Sequence, residues 1–411
     1  MPPSVTDEVF LLAKQTNTLR NARVSVRAWI AQLVEHFPEE EGVPSSSLGP
    51  STDMFQKLFL WIHTRERHLS ALAMVSGFIV DNLFFDRIDL LETQLVFAAY
   101  TAICFVAIPL LHWFETRGVP PPRWRSLLPL ATQFALGGFW SGFVIFYSRS
   151  ADLGASWPFI LFLVSILLAN EYFSRYHDRV VFTSTLFFFA LYSYAIFALP
   201  IVTGTIGTVT FLESGAVAAL VFFLFLRLLR IVARERFMAD VWRIRAGAVA
   251  VFAVMNVFYF TNVLPPLPLA APEAGIYHSV WRVPGDYLAT AEPQSWQVRY
   301  LGFPSTLHVT LGESLSAYSS IFAPTTLSTS IVHRWQWYDP ARKEWVAKGL
   351  ISYPIVGGRD GGYRGYSTAR IDQLGEWRVS IETTDGRRIT RLPFAAVEAV
   401  SIPATETINL P

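Results

Sequence analysis

Four polar side chains lie within or at the ends of apolar segments of this 411-residue chain: Asp81, Asn82, Glu171 and Glu213. Ionisable groups are costly in hydrocarbon, so they ordinarily line an ion or proton pathway or satisfy one another. A pathway would need several such groups to converge at mid-depth, whereas Glu171 and Glu213 are expected near opposite membrane faces. The sequence therefore favours a structural role for these side chains and leaves transport as the alternative.

A second set of candidate residues lies towards the C-terminal end and could bind a ligand. The set consists of Trp337, Trp345, Tyr363, Arg364 and Tyr366. Amphipathic aromatic side chains beside arginine are typical of surfaces that bind sugar rings or peptides. The last three lie in the glycine-rich stretch GGRDGGYRGY, which we expect to be an exposed loop and the best binding candidate.

The tryptophans have a competing interpretation as the core of a sheet. In a strand, Trp335 and Trp337 share one face with His333, because successive side chains point to opposite faces. A buried tryptophan is common in the core of β-sandwiches. We therefore expect Trp335 and Trp377 to be core residues.

The sequence predicts no catalytic residue, no metal site and no cofactor. The histidines His278, His308 and His333 lack the spacing of metal ligands, and TLGESL lacks the second glycine of a nucleophile elbow. The single cysteine, Cys104, lies in an apolar run and can form no disulfide within the chain. An enzyme acting outside the membrane is therefore the least favoured of three functional hypotheses.

The composition indicates a membrane protein. The chain is 52% hydrophobic and 15% aromatic but only 16% charged, which is too apolar for an ordinary soluble protein. The net charge of +1 gives no reason to expect nucleic acid as a partner, and the expected partner is the lipid bilayer. Seven apolar segments are long enough to span it, with six as the alternative because the first and fourth are the shortest. They are Leu69–Phe85, Leu95–Phe114, Leu127–Tyr147, Trp157–Phe173, Val180–Val202, Val209–Leu229 and Ala246–Val263.

Basic residues alternate between the loops and predict the orientation of the bundle. The loops ahead of the first segment and after the second, fourth and sixth are rich in arginine, whereas the intervening loops contain Arg87, Arg149 or no basic residue. Positive charge favours the cytoplasmic side of a membrane. We therefore expect the start of the first segment in the cytoplasm and everything after Val263 outside it.

Small residues occur in two of the segments, in LGGFWSG of the third and SGAVAA of the sixth. Glycine, alanine and serine at a helix surface allow neighbouring helices to approach closely. We expect these residues to serve packing rather than binding.

The composition changes after residue 263. The stretch PPLPLAAPEAG within residues 264–275 is typical of an extended proline-rich linker. Residues 276–411 then contain short alternating segments such as STLHVTLG, SIVHRWQWY, EWVAKGLISYP, GEWRVSIETT and RRITRLPF. They are separated by turn signals, and TTDGRRIT is the clearest hairpin. The pattern predicts an all-β antiparallel sandwich of the immunoglobulin-like kind.

Residues 331–394 also resemble a known bacterial family. They contain HRW, KGLISYPI, GGYRGYST, GEWRVSI, DGRRI and LPF, and they resemble the domain of unknown function catalogued as number 2914. A preceding multi-span region with the pattern GFIVDNLFFDRID is also similar to that family. The resemblance implies a bacterial envelope location and an architecture, but no activity and no catalytic residue.

Residues 28–52 have an unusual property at the level of codons. With permitted codons, Ala31–Glu35 can encode the D arm of a transfer RNA, Ser45–Leu48 the T loop, and Glu39 a phenylalanine anticodon. The single codon of Trp29 fits the acceptor stem. We therefore expect residues 1–53 to be a mis-annotated, disordered extension and the protein to begin near Met54. The alternative is a genuine disordered cytoplasmic tail, for which EEEGVPSSSLGPST has the composition, and codons that break the stems would favour it.

Two functional hypotheses rank ahead of an enzyme. In the first, residues 54–263 form a transmembrane bundle in the bacterial inner membrane, with the N-terminus in the cytoplasm. The C-terminal domain is then periplasmic and binds an envelope component, a polysaccharide or a protein. In the second, the bundle is a transporter or channel and the sandwich regulates it.

Overall fold

The computed structural model describes residues 78–79, 81–82, 85, 87–116, 125, 127–150, 153–172, 180–294, 298, 304–325, 327–357, 362–399 and 404–410. Residues 1–53, which we interpret as an extension, lie outside the described residues, and so does most of the first predicted span.

Six long helices fill the first half of the described chain. They are α1 (Leu91–Thr116), α2 (Leu127–Ser150), α3 (Leu153–Tyr172), α4 (Val180–Thr203), α5 (Thr208–Val232) and α6 (Arg234–Phe260). By length and composition, five of these described helices could cross a membrane; in α3 the apolar stretch covers only Ser156–Leu168. The segment expected to be a basic loop between α5 and α6 is helical, because α6 begins at Arg234, directly after a break at Ala233.

An aromatic cluster fills the interior of the bundle. The ring of Phe97, a fully buried residue of α1, packs against Phe139 and Phe143 of α2 and against Tyr194 and Phe197 of α4, with centroid distances from 5.2 to 5.6 Å. Aromatic pairs at such distances add to the stabilisation that burial alone provides. These contacts hold α1, α2 and α4 together.

The predicted role of the small residues in packing is confirmed at several glycines. A side chain on Gly138 or Gly142 of α2 would collide with the rings of Tyr100 and Phe97 on α1, and one on Gly215 of α5 would lie 2.7 Å from the Tyr192 hydroxyl of α4. Each glycine therefore allows a large ring of the neighbouring helix to reach its backbone.

Eleven described strands form the C-terminal domain. They are β1 (Ala270–Tyr277), β2 (Ser279–Val283), β3 (Asp286–Ala291), β4 (Ser305–Val309), β5 (Ser314–Phe322), β6 (Ser328–Asp339), β7 (Glu344–Val356), β8 (Tyr363–Arg370), β9 (Gly375–Thr383), β10 (Arg388–Glu398) and β11 (Glu406–Leu410). The first, β1, begins inside the segment expected to be a linker.

The strands form three sheets rather than two. A five-stranded sheet has the order β4, β10, β9, β6, β7; a middle sheet has β1, β5, β8; and a third has β11, β3, β2. All pairs are antiparallel except β4 with β10, which are parallel, so the expectation of a wholly antiparallel two-layer sandwich needs correction. The middle sheet is covered on both faces, since Leu315 and Ala317 of β5 face the five-stranded sheet while Tyr318 packs with the third sheet.

Trp335 and Trp377 lie in the core between the five-stranded and middle sheets, as predicted. Both are almost fully buried and pack against Phe394 of β10, with centroid distances of 6.3 and 6.2 Å. Their neighbours across the core come from β1 and β5. The core therefore depends on strands that are distant in sequence.

Candidate functional site

A polar pocket lies where β8 begins, beside the hairpin of β2 and β3. It has a volume of about 340 Å³, and its walls are formed by Arg282, Gly285, Asp286, Tyr287, Gly362, Tyr363 and Arg364. The Arg364 guanidinium donates to the Asp286 carboxylate and to the carbonyl of Gly285, both at 3.2 Å. The hairpin and β8 are thereby held together at the pocket wall.

Strand geometry gives the predicted loop residues different surroundings. Tyr363, Arg364 and Tyr366 lie in β8 and not in a loop. Tyr363 turns inward and stacks on Tyr353 at 6.5 Å between centroids, whereas Tyr366 is 41% exposed and meets the edge of Tyr287. The pocket therefore offers tyrosine surface and a fixed guanidinium together, which suits a small polar group such as a sugar ring.

The two tryptophan candidates do not join this pocket. Trp337 lies on the inner face of the five-stranded sheet, half-buried, and its indole nitrogen donates to the Leu374 carbonyl at 3.0 Å. Trp345 lies on the outer face of the same sheet, under the guanidinium of Arg378. The five predicted binding residues are thus divided among three places.

The polar candidates in the bundle also lie apart. Asn82 accepts a hydrogen bond from Arg149 at 3.1 Å, and Arg149 also donates to the Phe85 carbonyl at 2.6 Å. Asp81 lies near Ser141 of α2, and Glu213 is exposed in the second turn of α5. The side chain of Glu171 lies outside the described residues. Among those that are described, the geometry gives no convergence of ionisable groups.

A buried histidine of β6 is the centre of a polar network that the sequence did not indicate. The His333 ring is fully buried; its Nδ1 lies 2.8 Å from Ser367 Oγ, and its Nε2 lies 3.0 Å from Ser319 Oγ and 3.1 Å from the Tyr353 hydroxyl. Burial lowers the pKa of His333 to about 4, so the ring is neutral at pH 7. Within the described structure its partners are hydroxyl groups and not a carboxylate, so the network is that of a polar core.

A second cluster joins two histidines through a carboxylate. Glu292, at the end of β3, accepts from His278 Nε2 at 2.8 Å and from the backbone N–H of His308 at 2.7 Å, and its other oxygen lies 2.8 Å from His308 Nδ1. Glu292 is 9% exposed. The cluster ties the third sheet to β4 of the five-stranded sheet. Sequence reasoning noted the histidines but missed Glu292, because the three positions meet only in the folded chain.

The Glu292 cluster predicts a loss of stability in acid. Burial alone would raise the pKa of Glu292, but the hydrogen bonds from His308 and His278 hold it below its ordinary value of 4.5. A carboxylate whose pKa is lowered by folding stabilises the folded state at pH values above its unfolded-state pKa. This stabilisation is lost as the pH falls through its folded-state pKa. We expect Glu292→Gln to cost about 1–3 kcal/mol at pH 7 and to flatten the fall in melting temperature below pH 4.5.

The measurement is thermal unfolding of the full chain in detergent micelles between pH 7 and pH 3. Glu344→Gln is the matched control, because its carboxylate is 59% exposed at the start of β7. Equal pH profiles for Glu292→Gln and the unsubstituted protein would contradict the assignment.

Bundle and β-domain are joined at a small cavity of about 40 Å³. Arg387, from the turn between β9 and β10, is buried there; it donates to the carbonyls of Tyr259 and Leu264 at 2.9 and 2.6 Å, and its guanidinium lies 3.8 Å from the centre of the Tyr259 ring. Leu264 and Leu269 are almost fully buried. The segment that follows α6 is therefore packed between the two parts and not extended in solvent.

Comparison with known protein families gives a match within the β-domain. Residues 328–395 match the family model described as "Protein of unknown function (DUF2914)". This confirms a C-terminal domain of unknown function. The DUF2914 match runs from β6 to near the end of β10, so it contains Trp335, Trp377, Arg364 and the Arg387 turn.

The other comparisons add little to the DUF2914 match. Among curated proteins, none matches the chain. A solved structure of the alkylpurine DNA glycosylase AlkC from Pseudomonas fluorescens, bound to DNA containing an abasic site analogue, is similar at 9% identity over 76% of this chain and 98% of that chain, with a TM-score of 0.18. A similarity at that TM-score supports no conclusion on fold or activity.

Proposed function

We propose that this chain is a bacterial inner-membrane protein whose helical bundle anchors the β-domain outside the cytoplasm, where the domain binds a polysaccharide or protein of the cell envelope. The observation that carries the binding proposal is the pocket at Arg364. It combines tyrosine surface, a carboxylate and two arginines in a volume suited to one polar unit of a larger ligand.

The outer surface of the bundle supports the membrane part of the proposal. Large apolar side chains project from α5 and α6 away from the packed interior, including Leu220, Phe223, Val249 and Val257, which are 50–68% exposed. Such a surface would be unfavourable in water and is suited to hydrocarbon. The alternation of basic loops supports the proposed orientation.

Labelling of single cysteines tests the location. Lys343 lies in the exposed turn between β6 and β7, and Glu235 is exposed at the start of α6. Cys104 is fully buried, so it can stay in place as a silent background. We expect Lys343→Cys to react with a membrane-impermeant maleimide in intact spheroplasts and Glu235→Cys to react only after permeabilisation. The reverse pattern would place the β-domain in the cytoplasm.

Retention of envelope material by the purified full chain tests the pocket. Immobilised protein in detergent micelles would be incubated with solubilised cell-wall glycan and, separately, with envelope proteins. We expect Arg364→Gln and Tyr287→Leu to reduce retention at least tenfold, because they remove the guanidinium and the ring that face the pocket.

Arg342→Gln is the control for retention, since Arg342 is a 72% exposed arginine of the same domain on the turn after β6. Retention that is equal in the pocket variants and in Arg342→Gln would refute the pocket as the binding site.

A further inference from the structure

The outer face of the five-stranded sheet carries a stripe of arginines. Strand register places Arg391 opposite Ser380, Arg378 opposite Gln336, and Arg388 opposite Glu382, all on the same face. Arg334 lies opposite Ser380 from the other side and pairs with Glu382 at 2.5 Å. Four arginines and the glutamates Glu376 and Glu382 therefore share this face, and Arg334 pairs with Glu382.

Arg378 is held in a fixed orientation at the centre of this stripe. Its guanidinium lies 4.0 Å from the centre of the Trp345 ring, and its Nε donates to Gln336 Oε1 at 2.9 Å. Within the described structure no hydrogen bond is made by its two terminal nitrogens. A guanidinium stacked on an indole and oriented by one hydrogen bond presents those nitrogens as a fork that fits a carboxylate or phosphate.

The surroundings of Arg378 add positive charge. Burial, and the charges of Arg391 and Arg388, lower the pKa of Arg378 to about 10, so it remains a cation at neutral pH. Such mutual repulsion is relieved when an anion binds between the guanidinium groups. The stripe therefore favours a ligand with negative charge.

The direction of the stripe distinguishes between anionic partners. It begins at Arg388, next to the Arg387 turn that contacts the end of α6, and runs along β9 away from the bundle to the level of Tyr338 and Trp345. Six residues of strand cover about 20 Å. A lipid headgroup could meet only the end near the bundle, whereas an extended chain could follow the whole stripe.

We infer that this face binds an acidic polysaccharide, with its anionic groups on Arg378 and Arg391 and a sugar ring beside Trp345 and Tyr338. The Trp345 and Tyr338 rings lie 5.3 Å apart and continue the stripe with aromatic surface. The inference rests on the proposed location outside the cytoplasm and, like the proposed function, concerns an envelope polysaccharide. It does not depend on the pocket at Arg364, which is formed by the other two sheets.

Binding of a uronate oligosaccharide to the full chain tests the inference. The probe is an alginate oligomer, titrated by calorimetry into protein in nanodiscs of zwitterionic lipid, with neutral dextran oligomers of equal length as the comparison. We expect alginate to bind and dextran not to bind, and we expect the affinity to fall as salt is raised because charges on the surface are screened. Arg378→Gln should weaken alginate binding at least tenfold, and Arg391→Gln should weaken it severalfold.

Two further variants separate the possible outcomes. Arg378→Lys keeps the charge but not the fork, and should bind with intermediate affinity. Arg342→Gln should bind alginate as the unsubstituted protein does, and since neither variant changes the pocket at Arg364, failure of the pocket proposal would leave this result unchanged. Absence of alginate binding, an affinity unchanged in a folded Arg378→Gln protein, or Arg378-dependent binding to phosphatidylglycerol vesicles in place of alginate would each overturn the inference.

Discussion

Trp335→Ala is expected to destabilise the β-domain by about 3–5 kcal/mol, the usual cost of truncating a large buried aromatic side chain. Trp335 is fully buried between the five-stranded and middle sheets. Its indole nitrogen also donates to Ser367 Oγ at 3.0 Å, and that hydroxyl contacts His333. The substitution therefore opens a cavity and removes one donor from a buried polar network.

Thermal unfolding of the full chain in detergent micelles measures this effect. A loss of this size in a domain of this length should lower the melting temperature by about 10 °C or more. Trp345→Ala is the matched control, because Trp345 is only half-buried on the outer face of the sheet; its expected cost is below about 1 kcal/mol. Comparable losses for the two tryptophans would mean that the core does not depend on Trp335.

Arg387→Met is expected to destabilise the junction between bundle and β-domain by about 3 kcal/mol. Hydrogen bonds that involve a charged group contribute about 1.5–3 kcal/mol each, and a desolvated cation over an aromatic ring adds about 2 kcal/mol. The methionine would keep the volume of the aliphatic part, but the carbonyls of Tyr259 and Leu264 would lose their donor. Water entering the cavity beside them would recover part of the loss.

The expected readout of Arg387→Met is separation of the two parts. Thermal unfolding, followed by tryptophan fluorescence and by protease cleavage within residues 264–269, should show the β-domain detaching before the bundle unfolds. Arg342→Met serves as the comparison, because surface ion pairs such as those of Arg342, at 3.7 and 3.8 Å, contribute little. A single shared transition in both variants would show that Arg387 does not couple the two parts.

The apolar helices could be predicted from sequence because a membrane-length run of hydrophobic residues is a local signal. The strands β4, β6, β7, β9 and β10 could also be predicted from a local signal, because polar and apolar residues alternate along each of them. The middle strand β5 could not, because SLSAYSSIF is buried on both faces and carries serines among its buried residues. Burial on both faces removes the polar–apolar alternation that indicates a strand.

The candidate binding residues were predicted as one set but are separated in the fold. Adjacent residues of a strand point to opposite faces, so the Tyr363 ring stacks on Tyr353 in the core while Arg364 pairs with Asp286 at the pocket. The partners of Arg364 come from the hairpin around Asp286, which lies 78 residues earlier in the chain. Likewise, the hairpin TTDGRRIT was recognisable from its turn signal. Nothing in the local sequence indicated that Arg387 donates hydrogen bonds to carbonyls at and after the end of α6.

The third sheet cannot be completed until the last strand of the chain has been synthesised. Its edge strand β11 pairs with β3 from Tyr287 to Ala291, and Leu410 of β11 is fully buried against the middle sheet. The ribosome completes β2 and β3 more than a hundred residues before β11, as their positions in the chain show. Until β11 has been made, β3 keeps an open hydrogen-bonding edge, and a nascent domain in that condition is a substrate for chaperones and a site for pairing with other chains.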